Sequence, residues 1–112
     1  MKPKCCQDNQ LTKDISQSIT LLKAISEENR LKILCLLKKG ERCVCDIWQD
    51  LGIPQNLASH HLKILKEEGL ITSRKEGLSV YYRANNEKLS KFNLLLNNLF
   101  QNEKRRPNKK DC

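Results

Sequence analysis

The sequence lacks any apolar run close to the ~20 residues that a helix needs to cross a bilayer. Its first residues, Met1 to Cys6, also lack the apolar stretch of a secretory signal. Glycine occurs only four times, and neither a glycine-rich phosphate loop nor a Cys-x-x-Cys redox motif is present. These absences predict a cytoplasmic protein without a membrane partner, and they give little support to an enzyme such as a thiol reductase.

Positive charge is in excess. Lysine and arginine number 21 against 13 acidic residues, which gives a net charge of +8 over 112 residues. This balance favours an anionic partner, and we expect nucleic acid rather than an acidic membrane surface. The length suits one domain whose stability a partner subunit would increase.

Six cysteines are present, at positions 5, 6, 35, 43, 45 and 112. In a reducing compartment they are expected to be thiols, metal ligands or redox groups rather than a disulfide framework. Cys35 falls in an apolar helical run, so we expect it to be a small buried side chain. Cys43 and Cys45 are separated by one residue.

Three regions follow along the chain. Residues 1–10 are polar and are expected to form a flexible arm that carries Cys5 and Cys6; residues 102–112 are expected to form a disordered basic tail. Between them, residues 11–101 form the folded domain. An amphipathic helix is predicted over 14–26, with Ile15, Ile19 and Leu22 along one stripe, and a second helix ends near Gly40.

A helix-turn-helix is predicted next. Residues 43–51 show the spacing of a short helix, Gly52-Ile53-Pro54 forms a turn, and a further helix runs to Gly69. Two strand-like segments then flank Glu76-Gly77 as a β-hairpin, which in this position is a wing. The last helix, capped by Asn85 or Asn86, is more apolar than a small domain can cover alone, which argues for a dimer. The fold class is therefore mainly α with a β-hairpin wing, a homodimeric winged helix-turn-helix.

The second helix of the pair is predicted to be a recognition helix. The side opposite its apolar stripe carries donors and acceptors suited to base edges, while its lysines and the basic residues of the wing suit phosphates. His61 falls on the inner stripe and is expected to pack rather than to contact DNA. An ordinary solvated helix face is the alternative. The predicted DNA contacts are Gln55, Asn56, Ser59, His60, Lys63, Arg74 and Lys75.

Cys43 and Cys45 pose a geometric problem, because side chains two apart on an ideal helix point roughly 200° from one another. Either the two residues lie at or before the first turn, or ligand binding unwinds that turn. A helix start and the neighbouring Arg42 are expected to lower the pKa of these thiols. Soft thiolates select thiophilic ions over magnesium, calcium or manganese.

From Leu21 to about Leu99 the chain resembles the ArsR/SmtB winged-helix repressors. The resemblance rests on four segments: Glu28-Asn29-Arg30-Leu31-Lys32-Ile33-Leu34, Cys43-Val44-Cys45-Asp46, Ser59-His60-His61-Leu62, and Glu68-Gly69-Leu70 with the wing that follows. It implies a homodimer built through the first and last helices, two recognition helices in successive major grooves of double-stranded operator DNA, and release of that DNA on inducer binding.

The resemblance also bears on the inducer. Several arsenic-responsive members have a third cysteine where this chain has Trp48, whereas cadmium- and lead-responsive members complete the site with N-terminal cysteines. The implied metal ligands are therefore Cys43 and Cys45 with Cys5, Cys6 or both. One arm thiol would suit As(III) or Sb(III), and two would suit Cd(II), Pb(II) or Zn(II). The family's other site, on the last helix, needs a histidine that this helix lacks.

Alternatives remain open at this point. The cysteines can also form a thiol-redox or sulfur-responsive switch on the same fold, or hold a structural zinc in a constitutive DNA-binding protein. The inducing ion, the operator, the role of Cys112, and whether the arm binds within or across subunits are not decided by the sequence.

Overall fold

The structure is a computed structural model that describes residues 9–101. Cys5, Cys6 and Cys112 lie outside this range. The elements follow in the order α1 (Asn9–Ile25), α2 (Glu28–Leu37), β1 (Arg42–Cys43), α3 (Val44–Leu51), α4 (Gln55–Glu67), β2 (Ile71–Glu76), β3 (Ser79–Ala84) and α5 (Asn86–Phe100). Helix α1 thus includes the last two residues of the predicted arm, Asn9 and Gln10.

The helix-turn-helix and the wing are confirmed. Helix α3 ends at Gly52, which adopts the left-handed conformation (φ 68°) that favours glycine, and Pro54 is the N-cap of α4. Strands β2 and β3 pair antiparallel from Ile71 opposite Ala84 to Glu76 opposite Ser79. Mainly α architecture with a β-hairpin wing is therefore the observed fold class.

Strand β1 was not predicted. Arg42 lies opposite Tyr82 and Cys43 opposite Tyr81, so a third strand joins the edge of the hairpin in the order β1-β3-β2. Cys43 was predicted to belong to the helix, because a strand of two residues has no periodicity of its own. Cys43 instead ends the strand and is the N-cap of α3.

One hydrophobic core connects the helix-turn-helix to the sheet. Its fully buried side chains are Ile33, Ile47, Leu62, Leu65, Leu70 and Ile71. The predicted inner stripe of α4 is buried as expected, including His61. Because the core clamps the inner sides of α3 and α4, the outer face of α4 is held toward solvent.

Helix α1 has two apolar sides. Ser18, Leu21 and Ala24 face the core, while the predicted stripe at Ile15 and Ile19 remains 43% and 47% exposed. Helix α5 packs against α1 and also leaves Leu94 and Phe100 exposed. Such a surface is typical of a subunit interface, and it lies on the two helices through which the resemblance implies dimerisation.

The expectation that Cys35 is buried was wrong. The buried residues of α2 are Ile33, Leu34 and Leu37, and Cys35 points away from them into solvent. Because its neighbours in the sequence are apolar on all sides of the helix, the sequence did not show which side packs against the core. Within residues 9–101, no helix combines the length and apolar character needed to cross a membrane.

Candidate nucleic-acid interface and thiol site

Helix α4 presents the predicted DNA contacts together. Its buried side carries Ala58, Leu62 and Leu65, and helical periodicity turns the intervening positions outward. All five candidates on this helix are exposed: Gln55, Asn56, Ser59, His60 and Lys63. A helix of 13 residues with one polar, solvent-facing side has the form required to enter a major groove.

His61 fixes the inner side of α4 to the junction of α1 and α2. Arg30 donates from Nη1 to His61 Nδ1 over 3.3 Å, and His61 Nε2 lies 3.7 Å from Oε1 of Glu27. Since arginine only donates, the proton of the neutral ring belongs on Nε2, toward Glu27. Arg30 Nε also donates to the carbonyl of Ala24.

Burial lowers the pKa of His61, the Arg30 charge lowers it further, and the Glu27 carboxylate opposes both. The packing of His61 was predicted from its position on the inner stripe, but its partners were not. Arg30 lies 31 positions away along the chain, and no local pattern marks a pairing of that kind.

The wing holds Arg74 in an internal ion-pair network. Its guanidinium donates to both carboxylate oxygens of Glu41 at 2.9 Å, contacts Glu76, and lies 4.8 Å from the ring centre of Tyr81. These carboxylates raise the pKa of Arg74, and the Arg74 hydrogen bond lowers the pKa of Glu41. Arg74 was predicted to meet phosphates, yet two carboxylates already engage it. Lys75 is exposed.

Cys43 and Cys45 lie together at the start of α3. Their Sγ atoms are 2.7 Å apart, and the backbone N–H of Cys45 is directed at Cys43 Sγ over 3.4 Å. The extended backbone of Cys43 (φ −71°, ψ 148°) makes this contact possible. Because the residue precedes the helix, its side chain is not rotated away from that of Cys45 by the helical twist. Of the two alternatives in the sequence analysis, the structure has the first, and no unwinding is needed to bring the sulfurs together.

The two thiols differ in acidity. Hydrogen bonds from the Cys45 thiol and then from backbone N–H groups lower the pKa of Cys43. The same thiol contact raises the pKa of Cys45, and the Asp46 carboxylate adds to the increase. The expected helix-start effect therefore holds for Cys43 alone. Arg42, expected to assist, instead pairs with Asp50 at 2.7 Å.

Two adjacent soft sulfur donors fit a thiophilic ion. No third histidine, cysteine, aspartate or glutamate joins them to form a metal-binding group among the residues that the structure describes. A three- or four-sulfur site therefore requires donors from beyond residues 9–101, where Cys5 and Cys6 lie.

A cavity of about 390 Å³ joins the thiols to the DNA-facing elements. The start of α3 forms one wall, the first turns of α4 form another, and the wing closes the third. Its lining consists of Cys43, Val44, Cys45, Gln55, Ser59, Leu78, Ser79, Val80 and Tyr82. The shared cavity was not predicted, because nothing in the linear order of residues shows that Gln55 and Ser59 line it together with the cysteines.

Known proteins resemble this chain in sequence. The model of the family described as "Bacterial regulatory protein, arsR family" matches residues 27–73. An arsenical resistance operon repressor of Staphylococcus xylosus is 42% identical over 74 residues, which span 66% of this chain and 71% of that repressor. A cadmium resistance transcriptional regulatory protein CadC homolog of Staphylococcus aureus is 43% identical over 68 residues, which span 60% of this chain and 56% of that protein.

Solved structures resemble it in fold. Reduced HlyU from Vibrio cholerae aligns with a TM-score of 0.68 and 33% identity, covering 83% of this chain and 98% of HlyU. The homodimeric winged helix-turn-helix DNA-binding domain Mb0332 from Mycobacterium bovis aligns with a TM-score of 0.66 and 30% identity, covering 92% and 96% of the two chains. This chain belongs to the ArsR family of winged helix-turn-helix transcriptional regulators.

Proposed function

We propose that the protein is a cytoplasmic repressor that binds operator DNA as a homodimer and releases it when a thiophilic ion binds its cysteine thiolates. The observation that carries the proposal is the 2.7 Å separation of the Cys43 and Cys45 sulfurs beside the recognition helix. Two thiols this close can share one soft ion after their side chains rotate apart by about 1 Å, since sulfurs that ligate one ion at about 2.3 Å lie about 3.7 Å from each other. The lowered pKa of Cys43 favours the thiolate that such an ion requires.

On the DNA side, Gln55, Asn56, Ser59 and His60 contact base edges, and Lys63 and Lys75 contact phosphates. Their shared exposure on α4 and the wing supports this assignment, as does the net charge of +8. The exposed apolar sides of α1 and α5 support the dimer. A two-fold dimer would place its recognition helices about 34 Å apart, one turn of DNA.

On the ligand side, Cys5, Cys6 or both complete the site begun by Cys43 and Cys45. One arm thiol yields three sulfurs for As(III) or Sb(III), and two yield four sulfurs for Cd(II) or Pb(II). The named functions of the relatives, arsenical resistance and cadmium resistance, support this range of ions.

The test is fluorescence anisotropy of the reduced protein under anaerobic conditions, bound to a labelled duplex selected from a random library. Arsenite, Cd(II), Pb(II) and Zn(II) are titrated separately. Release by arsenite alone would identify a three-sulfur metalloid sensor, and release by Cd(II) or Pb(II) would identify a four-sulfur site. Failure of every ion to release the duplex would contradict metal sensing.

A thiol-redox regulator of the same fold is the second candidate. The adjacent sulfurs of Cys43 and Cys45 favour it, since their oxidation to a disulfide loses two protons and passes two electrons to a peroxide or sulfur species. Recovery of DNA binding by a competing dithiol chelator without oxidant exposure indicates a bound ion. Recovery only by a reductant, after oxidation, indicates the redox switch.

A further inference from the structure

We infer that the thiol pair and DNA exclude one another from a single space, so that any group attached to Cys43 or Cys45 blocks the duplex and a bound duplex shields both thiols. This inference rests on the proposed function, because it takes α4 and the wing as the DNA-binding surface. It adds the means of release: direct competition in the cavity between the start of α3, α4 and the wing.

The walls of the cavity bring the thiols and the recognition helix together. Gln55 and Ser59 lie one helical turn apart on the exposed side of α4, and both face the cavity that holds the sulfurs. Two of the side chains proposed to meet base edges therefore line the same cavity as the thiols. An atom bound to the sulfurs enters the same opening that a base edge would approach.

The cavity is accessible from solvent. Cys45, Gln55, Ser59 and the wing-tip residue Leu78 are all exposed, so the cavity opens to solvent between the recognition helix and the wing. A major groove is about 12 Å wide, and a helix with its side chains is about 10–12 Å thick. A duplex seated on α4 therefore leaves little room for an additional group at the cavity mouth.

Helix α3 is anchored independently of the thiols. Because Cys43 precedes the helix and its sulfur already lies beside that of Cys45, ion capture requires side-chain rotations that separate the sulfurs by about 1 Å, and no change in the helix itself. Ile47, fully buried in the next turn, holds α3 against the core. Release then follows from occupancy of the cavity, and the apparent Kd for DNA should rise without limit as ligand concentration increases. If the two ligands were instead coupled through a conformational change, the increase in apparent Kd would level off, typically at about 5–150-fold.

The experiment is differential alkylation of the full reduced chain. A short pulse of N-ethylmaleimide, which is neutral, is applied with and without the selected duplex, and modification of each cysteine is followed by peptide mass spectrometry. Cys35 is the internal control, since it is exposed on α2 and lines a different surface depression with Lys32 and Lys39.

With free duplex at about 100 times its Kd, modification of Cys43 and Cys45 should slow by about 100-fold, while Cys35 reacts at an unchanged rate. Reaction of Cys43 and Cys45 at the free rate within the DNA complex would overturn the inference and leave the proposed DNA binding intact. If no duplex is selected at all, the proposed function fails, and the inference fails with it.

A size series separates occupancy from a change of shape. Iodoacetamide, N-ethylmaleimide and a bulkier maleimide each modify single thiols, so none of them bridges the two sulfurs. Competition predicts that DNA affinity falls after each treatment and falls further with adduct size. The DNA affinity of the Cys43→Ser/Cys45→Ser variant, measured against its own untreated value, should not change with any of the three reagents, whereas Cys35→Ser should respond as the parent does. Undiminished DNA binding by the alkylated parent would contradict the inference.

Discussion

The start of α3 and the wing both carry side chains predicted to meet a ligand, but the protein treats them differently. The thiols of Cys43 and Cys45 contact each other and open into a cavity whose lining, within the described residues, includes no acidic or basic side chain. Arg74 is paired with Glu41 and Glu76 and lies against the ring of Tyr81, while 51% of its side chain remains exposed. A functional group is therefore available to a ligand only if the folded chain offers it no equivalent partner.

The largest expected effect comes from removing the thiols. Cys43→Ser or Cys45→Ser should abolish ion-dependent release, because each change removes one of the two adjacent sulfurs on which the three- or four-sulfur site is built, and should leave DNA affinity unchanged. Anisotropy titration of the duplex complex measures both properties, and Cys35→Ser serves as the matched control. Loss of DNA binding in the cysteine variants would show that the thiols also support the interface.

The next largest effect comes from the outer face of α4. Ser59→Ala with His60→Ala should weaken binding to the selected duplex by about tenfold or more for each hydrogen bond to a base that the change removes. Binding to an unrelated duplex should change little, since phosphate contacts supply it. Electrophoretic mobility shifts with both duplexes make the comparison, and equal weakening on the two sequences would argue against base recognition.

A smaller effect is expected on the salt dependence of DNA binding, where the exposed Lys75 and the paired Arg74 should differ. Lys75→Gln should reduce the slope of log affinity against log salt concentration by about one, as expected when one phosphate contact is removed. Arg74→Gln should leave this slope unchanged, because the guanidinium is already paired with carboxylates. Titrations at several salt concentrations measure both slopes. A reduced slope for Arg74→Gln would mean that DNA competes successfully with Glu41.

The smallest effect concerns His60 and His61, adjacent residues of which only His61 is buried. Burial holds the folded pKa of His61 below its ordinary value of 6.5, so the unfolded chain binds the proton more tightly. The stabilising contribution is complete above about pH 6.5 and is lost as the pH falls through the lower folded pKa. Urea unfolding between pH 7.5 and 5 should show this loss in the parent and in His60→Gln, but less of it in His61→Gln. An identical pH dependence in all three proteins would exclude His61 as its source.

Local patterns were sufficient for most of the fold. The helical spacing in α4 placed Ala58, Leu62 and Leu65 inside and its polar residues outside, and the turn at Gly52 followed from residue type alone. Prediction was less successful for a helix that carries apolar residues on two sides. Ile15 and Ile19 were assigned to an apolar stripe correctly, but the core uses the opposite side of α1.

The candidate site was predictable in its residues but not in its arrangement. Cys43 and Cys45 were identified by type and spacing, whereas their 2.7 Å contact depends on strand β1, which exists only because Tyr81 and Tyr82 pair with it from across the sheet. The pairing of Arg74 was likewise not predictable, since its partner Glu41 lies 33 positions away in the sequence.

The sequence by itself determined the order of the elements, the family, the residues of the recognition helix and the identity of the thiols, because each depends on residues close together in the chain. Only the tertiary structure decided that the thiols and the recognition helix share one cavity, that Arg74 is paired internally and that His61 contacts Arg30. These facts depend on contacts between distant segments, which form when the core packs and which local periodicity does not encode.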